Sequence, residues 1–280
     1  MEIARTVADL REHTARWRKA DERVGLVPTM GALHQGHMAL VRSARTECDR
    51  VTASIFVNPK QFSPTEDLGS YPRREAADLE MLQSSGTDLV FVPTVDEMYP
   101  SGFATLVRVG GLTEGLCGAY RAGHFDGVTT VVAKLLMQAA PDIAYFGEKD
   151  YHQLTVVRRL ARDLDIPVHI AGVPTVREAD GLALSSRNAY LSTEERRIAP
   201  RLARVLRSIA STLDRQSDAV AVELARGLRE LRDAGFEIDY LEIREDDTLR
   251  PVTTMLAPRS RVFGAVRLGK TRLIDNMPIG

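Results

Sequence analysis

Over the first 175 residues of this 280-residue chain, short apolar or β-branched runs alternate with longer stretches of helical periodicity. The runs are 24–27, 51–57, 89–92, 143–146 and 168–173. They are nearly continuous in apolar character rather than alternating, the pattern of strands buried on both faces of a parallel sheet. Between them, 38–48, 73–84, 128–139 and 151–163 place apolar residues at helical spacing. The alternation predicts an α/β fold, a Rossmann-like doubly wound parallel sheet, whose sites open at the carboxyl ends of the strands. His34, Asn58 and Glu148 each fall just after a predicted strand, so a site is expected there.

The texture changes after Arg187. Ser192 and Glu195 have the spacing of a capping box, and helical stretches at 193–213 and 217–234 end at Gly235. Strand-like pieces follow at 238–243, 254–256, 261–266 and 273–275. This predicts a second, smaller α+β C-terminal domain: residues 1–175 form a catalytic domain and 176–280 a domain closing over the site. The arginines of 196–207 read as a solvated helix face.

Composition narrows the function classes. A net charge of −1 gives no bulk electrostatic drive toward nucleic acid or anionic membrane. No apolar segment approaches the roughly 20 residues that span a bilayer, and the N-terminus lacks the apolar core of a secretory signal. The only cysteines, Cys48 and Cys117, form no Cys-x-x-Cys pattern, and a reduced cytoplasmic setting is expected.

Chemistry concentrates in a few polar segments. The decapeptide 28–37, Pro-Thr-Met-Gly-Ala-Leu-His-Gln-Gly-His, places His34 and His37 at a helix N-terminus delivered by a strand. Unpaired N–H groups and the positive dipole end make such a point a natural anion site, and two imidazoles three residues apart can both reach one phosphate. Zinc ligation with His124 or Cys117 is the metal alternative, but catalytic zinc needs about three protein ligands and the pair alone supplies fewer, so no metal site is expected. Asn58 and Gln61 flank Pro59 after a strand, and 63–72 has the composition of a mobile loop fit to act as a lid. The glycine-rich stretch 118–127 lacks the Lys-Ser/Thr ending of a P-loop, which argues against a Walker-type kinase. Within it, Asp126 reads as a helix N-cap, while Arg121 and His124 read as phosphate or subunit contacts. Lys149 and Asp150 open the helix after the run 143–146, where the lysine suits phosphate and the aspartate a helix cap or a ribose hydroxyl. Ser185-Ser186-Arg187 offers hydroxyls and a guanidinium just before the second domain.

Taken together, PTMGALHQGH (28–37), SIFVNPKQF (54–62), YPR (71–73), RAGHFDGV (121–128), FGEKDYHQL (146–154) and DGLALSSRN (180–188) resemble the pantothenate synthetase (pantoate–β-alanine ligase) family, within the His-x-Gly-His nucleotidyltransferase superfamily. The resemblance implies activation of pantoate by ATP to pantoyl adenylate, then capture by β-alanine, with Mg²⁺ on the phosphates. It implies catalytic roles for His34, His37, Lys149, Ser185, Ser186 and Arg187, with Met30, Gly147, Asp150 and Val176 also at the nucleotide. Gln61, Gln153 and Asn58 are implied to hold pantoate, and the 63–72 loop to shield the mixed anhydride from water. A cytoplasmic homodimer acting on small molecules is implied as well. His152 stands where the family often has glutamine and reads as a surface change; Leu184 stands where methionine is frequent. A cytidylyl or nicotinamide-mononucleotide adenylyltransferase on the same scaffold would share His34 and His37 but would have no need of the paired Gln61 and Gln153; a non-catalytic nucleotide-binding regulator would be marked by loss of a phosphate-handling residue, and all of them are present.

Overall fold

The computed structural model describes residues 1–64, 66–254 and 256–280; Thr65, in the expected loop 63–72, and Met255, in the expected strand 254–256, lie outside the described residues. The chain separates into two compact units, Met1–Glu148 with Gln153–Pro174, and Lys149–His152 with Thr175–Gly280. The second unit thus takes in a four-residue segment that the sequence reading assigned to the first domain.

The first unit carries strands β1 (Glu2–Ala4), β2 (Val24–Thr29), β3 (Arg50–Ile55), β4 (Leu89–Phe91), β5 (Ile143–Gly147) and β6 (His169–Val173). Its helices are α1 (Val7–Lys19), α2 (Gln35–Glu47), α3 (Glu75–Ser84), α4 (Val95–Met98), α5 (Cys117–Tyr120), α6 (His124–Ala139) and most of α7 (Tyr151–Asp163). All strand pairs are parallel, in the order β1-β4-β3-β2-β5-β6. The doubly wound α/β expectation therefore holds. From β2 the chain steps outward through β3 and β4, then resumes on the opposite side with β5 and β6, so the winding reverses between β2 and β5. Ligands of open α/β sheets bind beyond the carboxyl ends of the strands at such a reversal.

The reason β2, β3, β4 and β5 are strands is burial on both faces. Val27, Val51, Val90, Ile143 and Tyr145 are fully buried against Val41 and Ala44 of α2. Each large aliphatic side chain so removed from water contributes about 1.5–3 kcal/mol. Elements β1, α1, α4 and α5 had no counterpart in the sequence reading. β1 is a three-residue edge strand with only Ala4 buried, and α1 buries only Leu10 and Thr14, so neither shows an apolar stripe. Helix α6 also starts earlier than expected, at His124, behind Gly123 in the left-handed region. Asp126 is therefore not the N-cap. It lies in the first turn, where its charge complements the dipole and pairs with Arg108 at 2.6 Å.

The second unit has helices α8 (Thr193–Ile198), α9 (Arg201–Leu213) and α10 (Val220–Asp233) and an antiparallel sheet of β7 (Glu237–Glu245), β8 (Ser260–Leu268) and β9 (Thr271–Ile279). Ser192 and Glu195 form the expected capping box at α8. The single helix expected over 193–213 is divided, because Pro200 occupies the N-cap of α9 and cannot continue an incoming helix ladder. Residues 254 and 256 are not in a strand. Leu202, Val205, Leu206 and Ile209 of α9 share a core with Leu231, Ile243, Val262 and Val266. No helix among the described residues is long and apolar enough to cross a membrane.

Candidate active site

His34 and His37 cap the helix that begins between them. His34 is the extended N-cap of α2 (φ −146°), and its Nδ1 accepts the N–H of Gly36 at 3.1 Å. The N–H of His34 in turn donates to Nδ1 of His37 at 3.3 Å. This is the reciprocal logic of a capping box, built from imidazoles. It has a chemical consequence: a ring nitrogen that accepts a main-chain N–H cannot carry the proton, so both rings hold theirs on Nε2 and act there as donors. The rings lie 4.1 Å apart between centroids, tilted by 39°. Two Nε2–H donors of neutral imidazoles thus stand together at the carboxyl side of β2, beside the winding reversal.

The turn that delivers them is pinned from α3. Gly31 and Ala32 both have positive φ, 79° and 50°. The buried carboxylate of Asp78 accepts the N–H of Ala32 on one oxygen and that of Leu33 on the other, each at 2.8 Å. A Cβ on Gly31 would lie 2.9 Å from Asp78 Oδ2, so glycine serves here both for its backbone angle and for the close approach. Asp78→Asn keeps the shape but turns an NH₂ against one of those donors. Hydrogen bonds to charged groups are worth about 1.5–3 kcal/mol, so the substitution is expected to lower kcat/KM for ATP by about ten- to a hundredfold. Unchanged ATP kinetics in that variant would remove Asp78 from the site's support.

Met30, Asn58 and Gln61 are brought together in the first unit. Asn58 caps the short 3-10 turn Pro59–Gln61, and its Oδ1 accepts the N–H of Lys60 at 3.2 Å. Its Nδ2 donates to Gln61 Oε1 at 3.0 Å and to the Gly127 carbonyl at 3.1 Å, and Gln61 Nε2 donates to Met30 Sδ at 3.1 Å. Gln153 is half-buried in the first turn of α7.

Arg121 and His124, read from sequence as phosphate or subunit contacts, are engaged in holding this region. His124 Nδ1 donates to the Gln61 carbonyl at 2.9 Å, and its Nε2 accepts from Arg121 Nη1 at 2.9 Å. Arg121 also grips the Glu66 carboxylate at 2.5 and 3.1 Å. Burial works to raise the Glu66 carboxyl, but the hydrogen bond and charge of Arg121 outweigh it and hold the group below the ordinary carboxylate value. A depressed carboxyl stabilises the folded arrangement above its unfolded pKa, and that contribution is lost as pH falls through the folded value. The tether on the segment after residue 65 is therefore expected to persist at neutral pH and to release only on acidification below the ordinary carboxylate range. Glu66→Gln should bring protease nicking within 66–72 up to neutral pH; equal nicking of both proteins at pH 7 would contradict the tether.

The second unit carries the remaining candidates except Gly147, which belongs to the first. Lys149 and Asp150 end the 3-10 turn Glu148–Asp150, with Nζ and Oδ2 3.8 Å apart. The Lys149 carbonyl accepts from Asn276 Nδ2 at 2.9 Å, Arg261 Nη1 donates to Asn276 Oδ1 at 2.6 Å, and the Arg261 guanidinium covers the Tyr151 ring at 3.7 Å. Val176 pairs with the N–H of Leu184 across a turn braced by Arg177, which reaches both oxygens of Asp275 at 2.7 and 2.9 Å. That turn leads to Ser185, whose Oγ accepts the Arg187 N–H at 3.3 Å and caps the 3-10 turn Ser186–Tyr190. Gly147 ends β5 with open space where a Cβ would stand. His152 is not a surface substitution: only 5 % of it is exposed.

Asp78, Gly127, Arg261 and Asn276 were not singled out from sequence for these roles. The available signal was a polar residue at a buried position: Asp78 shares the buried stripe of α3 with Leu82, and Arg261 and Asn276 are buried within β8 and β9. Among the described residues no cluster of three or more His, Cys, Asp and Glu side chains has the arrangement of a metal site.

Comparison with known proteins places this geometry in context. A family profile described as pantoate-beta-alanine ligase matches residues 2–278. The chain is 56% identical to a pantothenate synthetase of Dinoroseobacter shibae over 281 aligned positions, covering 100% of this chain and 99% of the relative. It is 54% identical to a pantothenate synthetase of Paramagnetospirillum magneticum, covering 99% and 97%. The crystal structure of pantothenate synthetase from Thermus thermophilus superposes with a TM-score of 0.93 at 52% identity, covering 99% of each chain. That of pantoate-beta-alanine ligase from Francisella tularensis, complexed with beta-gamma ATP and beta-alanine, superposes at 0.84 with 34% identity, covering 99% and 97%.

Proposed function

Since the chain belongs to the pantoate-beta-alanine ligase family and is therefore a ligase, we propose the following course of reaction in its site. ATP enters as its magnesium complex, the metal carried by the triphosphate. Gln61 and Gln153 hold pantoate, their neutral amides bonding its oxygens without neutralising the nucleophile as a lysine would. A pantoate carboxylate oxygen attacks the α-phosphorus; the bond to the bridging oxygen breaks, and pyrophosphate leaves with that electron pair. The amine of β-alanine then attacks the acyl carbon of the adenylate, AMP leaves, and the nitrogen gives up a proton to complete the amide of pantothenate. Adenylation is needed because oxide is too poor a leaving group for an amine to displace from a carboxylate.

The observation that carries this reading is the reciprocal capping of His34 and His37, which sets both rings as Nε2–H donors. Such donors meet the charge that grows on the α-phosphoryl oxygens without themselves losing a proton. Lys149, Ser185, Ser186 and Arg187 take the β- and γ-phosphates as charge moves to pyrophosphate, with Met30, Gly147, Asp150 and Val176 around the nucleotide. The 63–72 loop keeps water from the mixed anhydride. Residues 1–175 serve as the catalytic domain and 176–280 as the smaller domain; a cytoplasmic homodimer completes the reading, the compartment supported by the sparse cysteines and the dimer by the family resemblance. The test is isotope exchange: with pantoate and no β-alanine, labelled pyrophosphate is expected to enter ATP. Exchange that is absent, or indifferent to pantoate, would overturn the adenylate route.

A further inference from the structure

Asn58 is 1 % exposed, and the hydrogen-bonding capacity of its amide is fully committed within the protein. Its Oδ1 takes the Lys60 N–H and, at 2.8 Å, the hydroxyl of Tyr99; its Nδ2 serves the Gly127 carbonyl and Gln61 Oε1. Two of these partners are main-chain groups of fixed polarity, since an N–H only donates and a carbonyl only accepts. They settle which end of the Asn58 amide is oxygen and which is nitrogen. Asn58 then settles Gln61: the atom facing Nδ2 has to be Oε1, and Nε2 is left toward Met30, whose sulfur is a weak acceptor.

We propose that Asn58, anchored by Tyr99, sets the amide of Gln61 so that Gln61 meets pantoate as a hydrogen-bond donor, its Nε2 exchanging the Met30 sulfur for a substrate oxygen. Asn58 and Tyr99 are thus positioning residues for pantoate rather than ligands of it, which reassigns the direct contact the sequence suggested for Asn58. The site accordingly selects a substrate that presents an acceptor at this point. Tyr99 is buried between Phe56 and Phe103, with ring centroids 6.1 and 5.0 Å away, so its hydroxyl has a fixed origin. Burial also pushes its phenol well up, which keeps it a neutral O–H at any working pH.

The proposal rests on Gln61 contacting pantoate, and the two are separable by experiment. Pantoate KM, ATP KM and melting temperature are measured for Gln61→Ala, Tyr99→Phe, Asn58→Ala and Asn58→Asp. Gln61→Ala is expected to raise pantoate KM; if it does not, the contact and the proposal both fail. Given that rise, Tyr99→Phe should raise pantoate KM about three- to tenfold, the worth of one hydrogen bond, with ATP KM within about twofold of wild type. Asn58→Asp should be worse for pantoate than Asn58→Ala, because it accepts from Gln61 and so holds the amide the wrong way round, where alanine merely releases it. An unchanged pantoate KM in Tyr99→Phe, or a milder effect of aspartate than of alanine, overturns the relay and leaves Gln61 a ligand. Should these variants fold poorly, side-chain amide NMR of the wild-type protein decides. Added pantoate should shift the Gln61 Nε2 resonances and leave those of Asn58 Nδ2 in place, and the reverse pattern overturns the proposal.

Discussion

Replacing His37 with alanine is expected to cost about 10²–10³-fold in kcat, the loss typical of one preorganised donor to a developing oxyanion. The variant should nevertheless remain folded. As the side chain that receives the His34 N–H, His37 contributes a cap worth about 1 kcal/mol, far less than the catalytic loss requires. The two effects separate by temperature: melting should shift by a few degrees at most, while kcat collapses. His37→Asn is the informative companion. Its side-chain oxygen preserves a cap acceptor but offers no donor at the place of Nε2, so stability should recover and activity should not. Recovery of both would mean that His37 matters only for the helix start.

Gly127→Ala carries the second large expectation, and it acts at a distance from any reacting atom. A Cβ at this position of α6 would stand 2.2 Å from the Lys60 carbonyl oxygen, 2.4 Å from its carbon and 2.6 Å from the Gln61 nitrogen. All are main-chain atoms, so no side chain can swing aside, and the turn 58–61 or the helix has to move. Overpacking of this kind costs about 1–3 kcal/mol. The displaced turn is also the one whose Asn58 binds the Gly127 carbonyl and orients Gln61. Misplacement by an ångström typically costs about 10² in rate, so kcat/KM for pantoate should fall by about that factor, with ATP binding affected much less. Titration calorimetry with ATP and steady-state kinetics in pantoate check the two halves; equal losses toward both substrates would indicate general unfolding.

The contrast between these residues shows what a single chain makes legible. The central strands β2 to β5 were readable because burial on both faces writes a continuous apolar run into the sequence. The edge strand β1 and the polar helix α1 were not, since each leans on the sheet with only one or two buried positions. His34 and His37 could be placed because a strand and a helix bracket them locally. Asp78, Tyr99 and Gly127 escaped because they act on groups 45, 41 and 69 residues away, in part on main-chain N–H and carbonyl groups that every residue possesses. Spacing leaves no trace of such a partner. The same holds for Asn276, whose amide meets the Lys149 carbonyl across 127 residues. Asn58 was recognised as important, and its complete saturation by protein groups is the observation from which its positioning role is proposed.

The measurement that bears most directly on the central claim is a product assay with purified protein, MgATP, pantoate and β-alanine, following AMP, pyrophosphate and pantothenate together. The account predicts AMP and pantothenate in equal amounts, formed only when both carbon substrates are present, and reduced in His37→Ala to a small fraction of the wild-type rate. Release of pyrophosphate without pantoate, ADP in place of AMP, or wild-type turnover in His37→Ala would contradict it.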